Sequence, residues 1–280
     1  MESEFDPGDD RESAPAPVGD PDGTAGGGYR GPVRFSVLGP VEVWLGERDC
    51  TPKAPKVLQV LAFLLLRANR TVRTEPLIQE LWGEDPPRSA LTTIQTYAYQ
   101  LRRLFVREGL AENGEDMLVT RSHGYALYVE PEQLDVHRFW ALRDEGRALM
   151  QQNRFAEAAP RLRAALDLWS ENPLVNVRLG AHLSAYVVDL QEQRRNTQQF
   201  AIEAEMELGL HRELIGELRA MTATHPLDEW FHWQLMMVLD RSGRRSEALH
   251  VYRSLRSTLN DELGIDPSRE VQELHSRLLS

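Results

Sequence analysis

Two short stretches of alternating hydrophobicity, three helical stretches and a closing hairpin open the 280-residue chain, and after residue 135 the pattern is helical only. That order predicts a mainly α protein with a small β component. It reads as a winged helix-turn-helix domain followed by an all-α domain of tetratricopeptide-like helical repeats. A second observation supports the repeat half: Gly209 and Gly243, each opening a similar segment, stand 34 residues apart, the period of a tetratricopeptide repeat.

Residues 1–30 carry 2 basic and 8 acidic side chains, are rich in Gly and Pro, and hold almost no apolar residue. Such a composition cannot offset the entropy of ordering, so an acidic disordered tail is expected there. The winged-helix domain is placed at 31–130 and the repeat domain at 131–280. Val33, Phe35 and Val37, then Val41, Val43 and Leu45, alternate around Gly39-Pro40 and predict two antiparallel strands, with a third near Cys50. Pro55 suits the first turn of an apolar helix that ends at Asn69-Arg70. Thr74 is the expected N-cap of a second helix bearing Leu77, Ile78, Leu81 and Trp82 and stopped by Gly83. A third helix runs from about Ser89 to Arg107, and Asn113-Gly114 marks a turn. Leu118–Thr120 and Tyr125–Val129 then form a hairpin whose Gly124 is expected at positive φ. Beyond Asp135 the helices are expected at Val136–Gln151, Phe155–Trp169, Pro173–Leu208, Arg212–Thr224, Leu227–Arg241, Ser246–Leu263 and Ser268–Leu279.

Function is carried most clearly by the third helix. Ile94, Ala98, Leu101 and Phe105 make one apolar stripe, and the remaining surface holds Thr92, Thr93, Gln95, Thr96, Tyr99, Gln100, Arg102 and Arg103. No acidic residue occurs from Ser89 to Arg107. Hydroxyls, amides and guanidinium groups without carboxylates suit phosphate oxygens and base edges in a major groove. In the hairpin, Arg121 is placed to enter a minor groove, and His123 is expected in solvent. Tyr125 fits two readings equally, a phosphate contact and a core aromatic.

The net charge of −11 does not argue against DNA, because residues 31–130 carry 12 charges of each sign. Only Lys53 and Lys56 among 32 basic residues are lysine, the bias of a GC-rich coding sequence. One cysteine excludes an intrachain disulfide and any thiolate zinc site, and no catalytic or metal-binding constellation or cofactor fingerprint is present. His232 beside Trp230 and Trp233 reads as packing. No apolar run reaches membrane length and no secretory signal opens the chain, so a cytoplasmic, nucleoid-associated protein is expected. A peptide-binding scaffold or ligand-sensing regulator is the competing reading, with Trp230, Phe231, Trp233, Met236 and Met237 lining a groove.

Several segments carry a family resemblance: Val33-Arg34-Phe35-Ser36-Val37-Leu38-Gly39-Pro40-Val41, Leu81-Trp82-Gly83-Glu84-Asp85-Pro86-Pro87, Gln95-Thr96-Tyr97, Gln100-Leu101-Arg102-Arg103-Leu104, Thr120-Arg121-Ser122-His123-Gly124-Tyr125 and Glu262-Leu263-Gly264-Ile265-Asp266-Pro267. Together they resemble the SARP family, the antibiotic-pathway regulators of actinomycetes. The resemblance covers about residues 33–280. It implies an OmpR-type winged helix, a bacterial transcriptional activation domain, and promoter DNA and RNA polymerase holoenzyme as partners. It further implies a homodimer on tandem direct repeats beside a −35 element. Mapped here, the polymerase-facing loop is Trp82, Gly83, Glu84, Asp85, Pro86, Pro87 and Arg88. Gln95, Tyr97 and Gln100 would read bases, with Thr92, Tyr99, Arg102 and Arg103 nearer phosphates. The family often carries a basic residue where Gln100 stands; an amide favours adenine.

Overall fold

The computed structural model describes residues 32–280, so the expected acidic tail lies outside the described residues. Strands β1 (Val33–Ser36), β2 (Glu42–Leu45) and β3 (Arg48–Asp49) form an antiparallel sheet in that order, with Phe35 opposite Val43. Helix α1 (Pro55–Leu65) follows, with Pro55 in its first turn and every residue from Val57 to Leu65 buried. Strand β4 (Thr71–Arg73) leads into α2 (Thr74–Trp82), α3 (Ala90–Glu108) and the one-turn α4 (Gly114–Met117). Strands β5 (Leu118–Arg121) and β6 (Gly124–Leu127) close this half in a sheet ordered β4-β6-β5. After a 3₁₀ turn at Pro131–Gln133 come α5 (Asp135–Gln151), α6 (Phe155–Leu166), α7 (Ala181–Glu207), α8 (His211–Thr224), α9 (Glu229–Arg241), α10 (Arg245–Leu263) and α11 (Arg269–Leu279).

The helical half repeats one local device. Asn153, Gly209 and Gly243 sit between α5 and α6, α7 and α8, and α9 and α10, all at positive φ of 57°, 77° and 75°. In each hairpin a glutamate follows four residues later (Glu157, Glu213, Glu247), and then a buried Ala158, Leu214 or Ala248. The left-handed residue reverses the chain within one turn, and the small or apolar residue lets the helices approach. Arg163 of α6 joins these hairpins by pairing with Glu205 of α7 (Nε–Oε1 2.7 Å) and Glu217 of α8 (Nη1–Oε1 2.7 Å).

Local expectations differ from the structure at five places. Helix α7 begins at Ala181, not near Pro173, because Leu174 and Asn176 are bonded to the connection between β1 and β2 and Gly180 to Glu80. There the Leu174 N–H donates to the Val37 carbonyl, and Asn176 both accepts from the Val41 N–H (2.7 Å) and donates to its carbonyl (3.1 Å). Thr74 is not the N-cap of α2 but its first residue, since its N–H and hydroxyl are both drawn to the His123 carbonyl. Helix α6 stops at Leu166, short of Trp169. Asn113-Gly114 opens a helix instead of a turn, with the Asn113 side chain accepting from the Glu115 N–H. Gly124 does not have a positive φ; a Cβ there would lie 1.9 Å from the Val72 carbonyl oxygen, so close strand approach demands glycine.

The two halves share one core, which runs from Phe35 and Val43 through α1 to Phe139, Trp169, Leu183 and Leu190. Two carboxylates fasten it, one buried and one half-buried. Glu80, on α2 and 3% exposed, accepts from the N–H groups of Gly180 (2.5 Å), His182 (2.9 Å) and Leu183 (3.0 Å), the opening turn of α7. Gln59 of α1 donates to the Glu80 carbonyl at 3.1 Å. A helix start leaves unpaired N–H groups and partial positive charge, and this carboxylate from another element satisfies both. A Cβ on Gly180 would lie 2.3 Å from the Glu80 carbonyl oxygen, which fixes glycine there. Asp135 similarly accepts from Val37 (2.8 Å), Leu38 (2.9 Å) and Val136 (2.7 Å). Burial outweighs these bonds and pushes its carboxyl up to about 6.

Glu80→Ala, which strands three N–H groups, is expected to lower stability by about 2–4 kcal/mol in urea unfolding, and Glu80→Gln by less. For Asp135 the folded carboxyl binds its proton more tightly than the unfolded one. Its stabilising contribution is therefore present below the unfolded value and lost as pH rises through about 6. The stability advantage of the wild-type chain over Asp135→Asn should be larger at a pH of about 4.5 than at about 7. The opposite trend would mean that the three N–H donors outweigh burial.

Candidate nucleic-acid interface

Helix α3 buries Ala90, Ile94, Ala98, Leu101 and Phe105 and ends at Gly109, whose left-handed φ of 74° stops the helix. Thr92, Gln95, Thr96, Tyr99, Gln100 and Arg103 are exposed on the opposite side, with no carboxylate among them. Tyr99 is 57% exposed, and the Arg103 guanidinium lies over its ring at 5.9 Å. Among the described residues Arg103 has no ion-pair partner, so its charge stays available to an incoming anion. The hydroxyls of Thr93 and Thr96 donate to the carbonyls of Ser89 (2.9 Å) and Thr92 (3.0 Å). Thr96 is exposed, whereas Thr93 is half-buried on the flank that also carries Tyr97.

Three expected contact residues have other work in the structure. Tyr97 is half-buried against the core, off the exposed face. Arg102 donates from Nε to the Leu118 carbonyl (2.8 Å) and from Nη2 to the Thr120 hydroxyl (2.7 Å), and lies 3.6 Å from Glu115. It thus ties the wing to α3. Tyr125 is 7% exposed and part of the core, and burial pushes its phenol up. Of its two sequence readings, the burial favours packing.

Arg121 is exposed at the end of β5; it donates to the Tyr128 hydroxyl at 2.8 Å and lies over that ring. His123 is exposed in the wing turn. In the loop between α2 and α3, Trp82 is half-buried, with Lys56 Nζ over its ring at 5.9 Å and bonded to the Leu81 carbonyl at 2.6 Å. Gly83 turns the chain at φ 67°, and Glu84 to Arg88 are exposed. Beside α3 the loop before α1 forms an open groove, with Lys53 facing Thr96, Tyr99, Gln100 and Arg103. Sequence reading missed Lys53, because nothing local shows that its loop lies along α3.

In the helical half, Phe231 and Met236 are fully buried, with Trp230, Trp233 and Met237 packed against them. Those aromatics and methionines form a core, not the groove that a peptide-binding reading needs. His232 is buried with them, which holds its imidazole below the usual range. No group of histidine, cysteine and carboxylate side chains suited to a metal ion occurs among the described residues, and none of their helices is long and apolar enough to cross a membrane.

Residues 49–127 match the family described as transcriptional regulatory protein, C terminal, and residues 134–279 match the bacterial transcriptional activator domain. Regulatory protein DnrI of Streptomyces peucetius is 40% identical over 250 residues, which cover 88% of this chain and 92% of DnrI. The chain belongs to the SARP family. As a SARP it is a DNA-binding transcriptional activator, with the winged helix and the activator domain in that order. Regulatory protein AfsR of Streptomyces griseus is 38% identical over 88% of this chain, which spans only 24% of AfsR. A solved structure of Mycobacterium tuberculosis EmbR, in complex with a low affinity phosphopeptide, superposes with a TM-score of 0.82 at 33% identity. The superposition covers 88% of this SARP and 65% of EmbR.

Tyr97→Ala should therefore lower the melting temperature by several degrees, roughly 1–3 kcal/mol of lost packing, whereas Gln95→Ala and Gln100→Ala should leave it unchanged. Differential scanning fluorimetry separates the two classes. An unchanged melting temperature for Tyr97→Ala would return that residue to the exposed face.

Proposed function

We propose that this SARP is a pathway-specific activator of a secondary-metabolite, antibiotic-type gene cluster. Residues 31–130 act as the DNA-reading unit and 131–280 as the activation unit. Two protomers bind head to tail on tandem direct repeats beside a −35 element and act in the cytoplasm, on the nucleoid. The observation that carries this reading is the acid-free exposed face of α3, where Gln95, Tyr99, Gln100 and Arg103 stand together. Gln95 and Gln100 read base edges there, Arg103 and Lys53 hold phosphates, and Thr92 and Thr96 lie between. The exposed loop from Gly83 to Arg88, anchored by Trp82, meets RNA polymerase holoenzyme.

The test is to incubate the full chain with fragmented genomic DNA of its host and sequence what is retained. Sharp peaks that hold tandem repeats about one helical turn (~10–11 bp) apart support the reading, and uniform retention contradicts it. On the selected site, Gln100→Ala should relax preference at one position of each repeat by about 1–3 kcal/mol. Arg103→Ala should instead weaken all sequences and flatten the salt dependence. Equal weakening on every sequence by Gln100→Ala would make that amide a phosphate or structural contact.

A further inference from the structure

The register of the second sheet joins a residue outside α3 and the wing hairpin to the wing. In the order β4-β6-β5, Arg73 of β4 pairs with Gly124 of β6, and Gly124 pairs with Arg121 of β5. Residues paired across neighbouring strands project to the same side of a sheet. Arg73 and Arg121 therefore flank Gly124 on one face, with no side chain between them. The other face carries Val72, Tyr125, Leu118 and Leu127, all buried toward the core, whereas Thr71, Arg73 and Arg121 are exposed, so the arginines stand on the outward side. Both arginines are exposed, and among the described residues neither has an ion-pair partner. Strands lie about 4.8 Å apart, which puts the two backbones roughly 10 Å from each other, within reach of two long guanidinium side chains that converge on one stretch of phosphates.

The row is also fixed in place. The Thr74 N–H donates to the His123 carbonyl at 3.0 Å, so the residue after Arg73 is bonded to the turn that follows Arg121. On the core side, Arg102 of α3 holds β5 through Leu118 and Thr120. The arginine row and the exposed face of α3 are thus parts of one rigid piece. On the face itself, Arg121 is steadied by the Tyr128 hydroxyl.

We propose that Arg73 is a DNA-contacting residue, which forms with Arg121 a two-arginine clamp on the phosphodiester backbone beside the wing. This rests on the proposed DNA reading of α3 and adds a second, sequence-independent contact to it. The clamp sets how the wing sits on the duplex and contributes affinity without base preference.

The full-length chain and its Arg73→Gln, Arg121→Gln, double and Arg73→Lys variants would be titrated against a selected site and a scrambled duplex across a salt series. Each phosphate contact contributes about 0.9 to the slope of log affinity against log salt. Each single glutamine variant should lose about 0.9 of slope and the double about 1.8, with the ratio of specific to scrambled binding unchanged. Arg73→Lys should keep the slope. An unaltered slope for Arg73→Gln, with Arg121→Gln lowering it, would overturn the clamp and leave Arg121 alone. A changed specificity ratio would overturn the backbone assignment. If the wild-type chain itself showed no preference for the selected site, the reading of α3 would fail instead; loss of slope on both duplexes would still support the clamp.

Discussion

One buried carboxylate, Glu80, holds the two halves of this protein in a fixed relation. It leaves α2, the helix that precedes α3, and closes the first turn of α7, a 27-residue helix about 40 Å long. The N-terminal part of α7 packs on the winged helix, and its C-terminal part belongs to the repeat hairpins. A charge taken out of water is costly unless it is fully bonded, and Glu80 meets that condition only when α7 starts at Ala181. The start of α7 at Ala181 and the glycine at 180 both fit that demand. Asp135 and Asn176 make the same kind of bond at the other edge, so each half completes the hydrogen bonding of the other.

That rigidity matters for an activator. A winged helix that swung freely would read DNA but would place its activation domain at random. Here α2 ends two residues after Glu80, so the Trp82 anchor of the α2–α3 loop is set by the same contact that docks the helical half. Arg102 does the corresponding work toward the wing. The exposed face of α3, the wing and the helical domain are consequently held as one body.

How much of this was legible in the sequence depended on the range of the interaction. Periodicity located α1, α3 and the repeat hairpins because their signals are local: Pro55 at a helix start, the stripe from Ile94 to Phe105, and the left-handed residues of the turns. The chemistry of α3 was legible for the same reason, since absence of acid is a property of one segment. Tyr97 and Arg102 were not, because on a helix wheel they are surface residues, and only the packed core and the neighbouring wing occupy them. Strand β4 is three residues long, below what alternation can signal, and with it the pairing of Arg73 was hidden. Glu80 carried no signal at all: its N–H partners stand about one hundred residues away, at a helix start that sequence reading places earlier.

In the proposed complex the exposed face of α3 enters the major groove. Cys50, the single cysteine, is buried, so Leu91→Cys at the edge of that face would give one labelling site for an iron–EDTA cleaving group. On a selected tandem-repeat site, cleavage should fall in two clusters about one helical turn apart, on one side of the duplex, with the offset between strands that a major-groove source gives. Cleavage with the minor-groove offset, or spread evenly along the duplex, would show that α3 does not lie in the major groove.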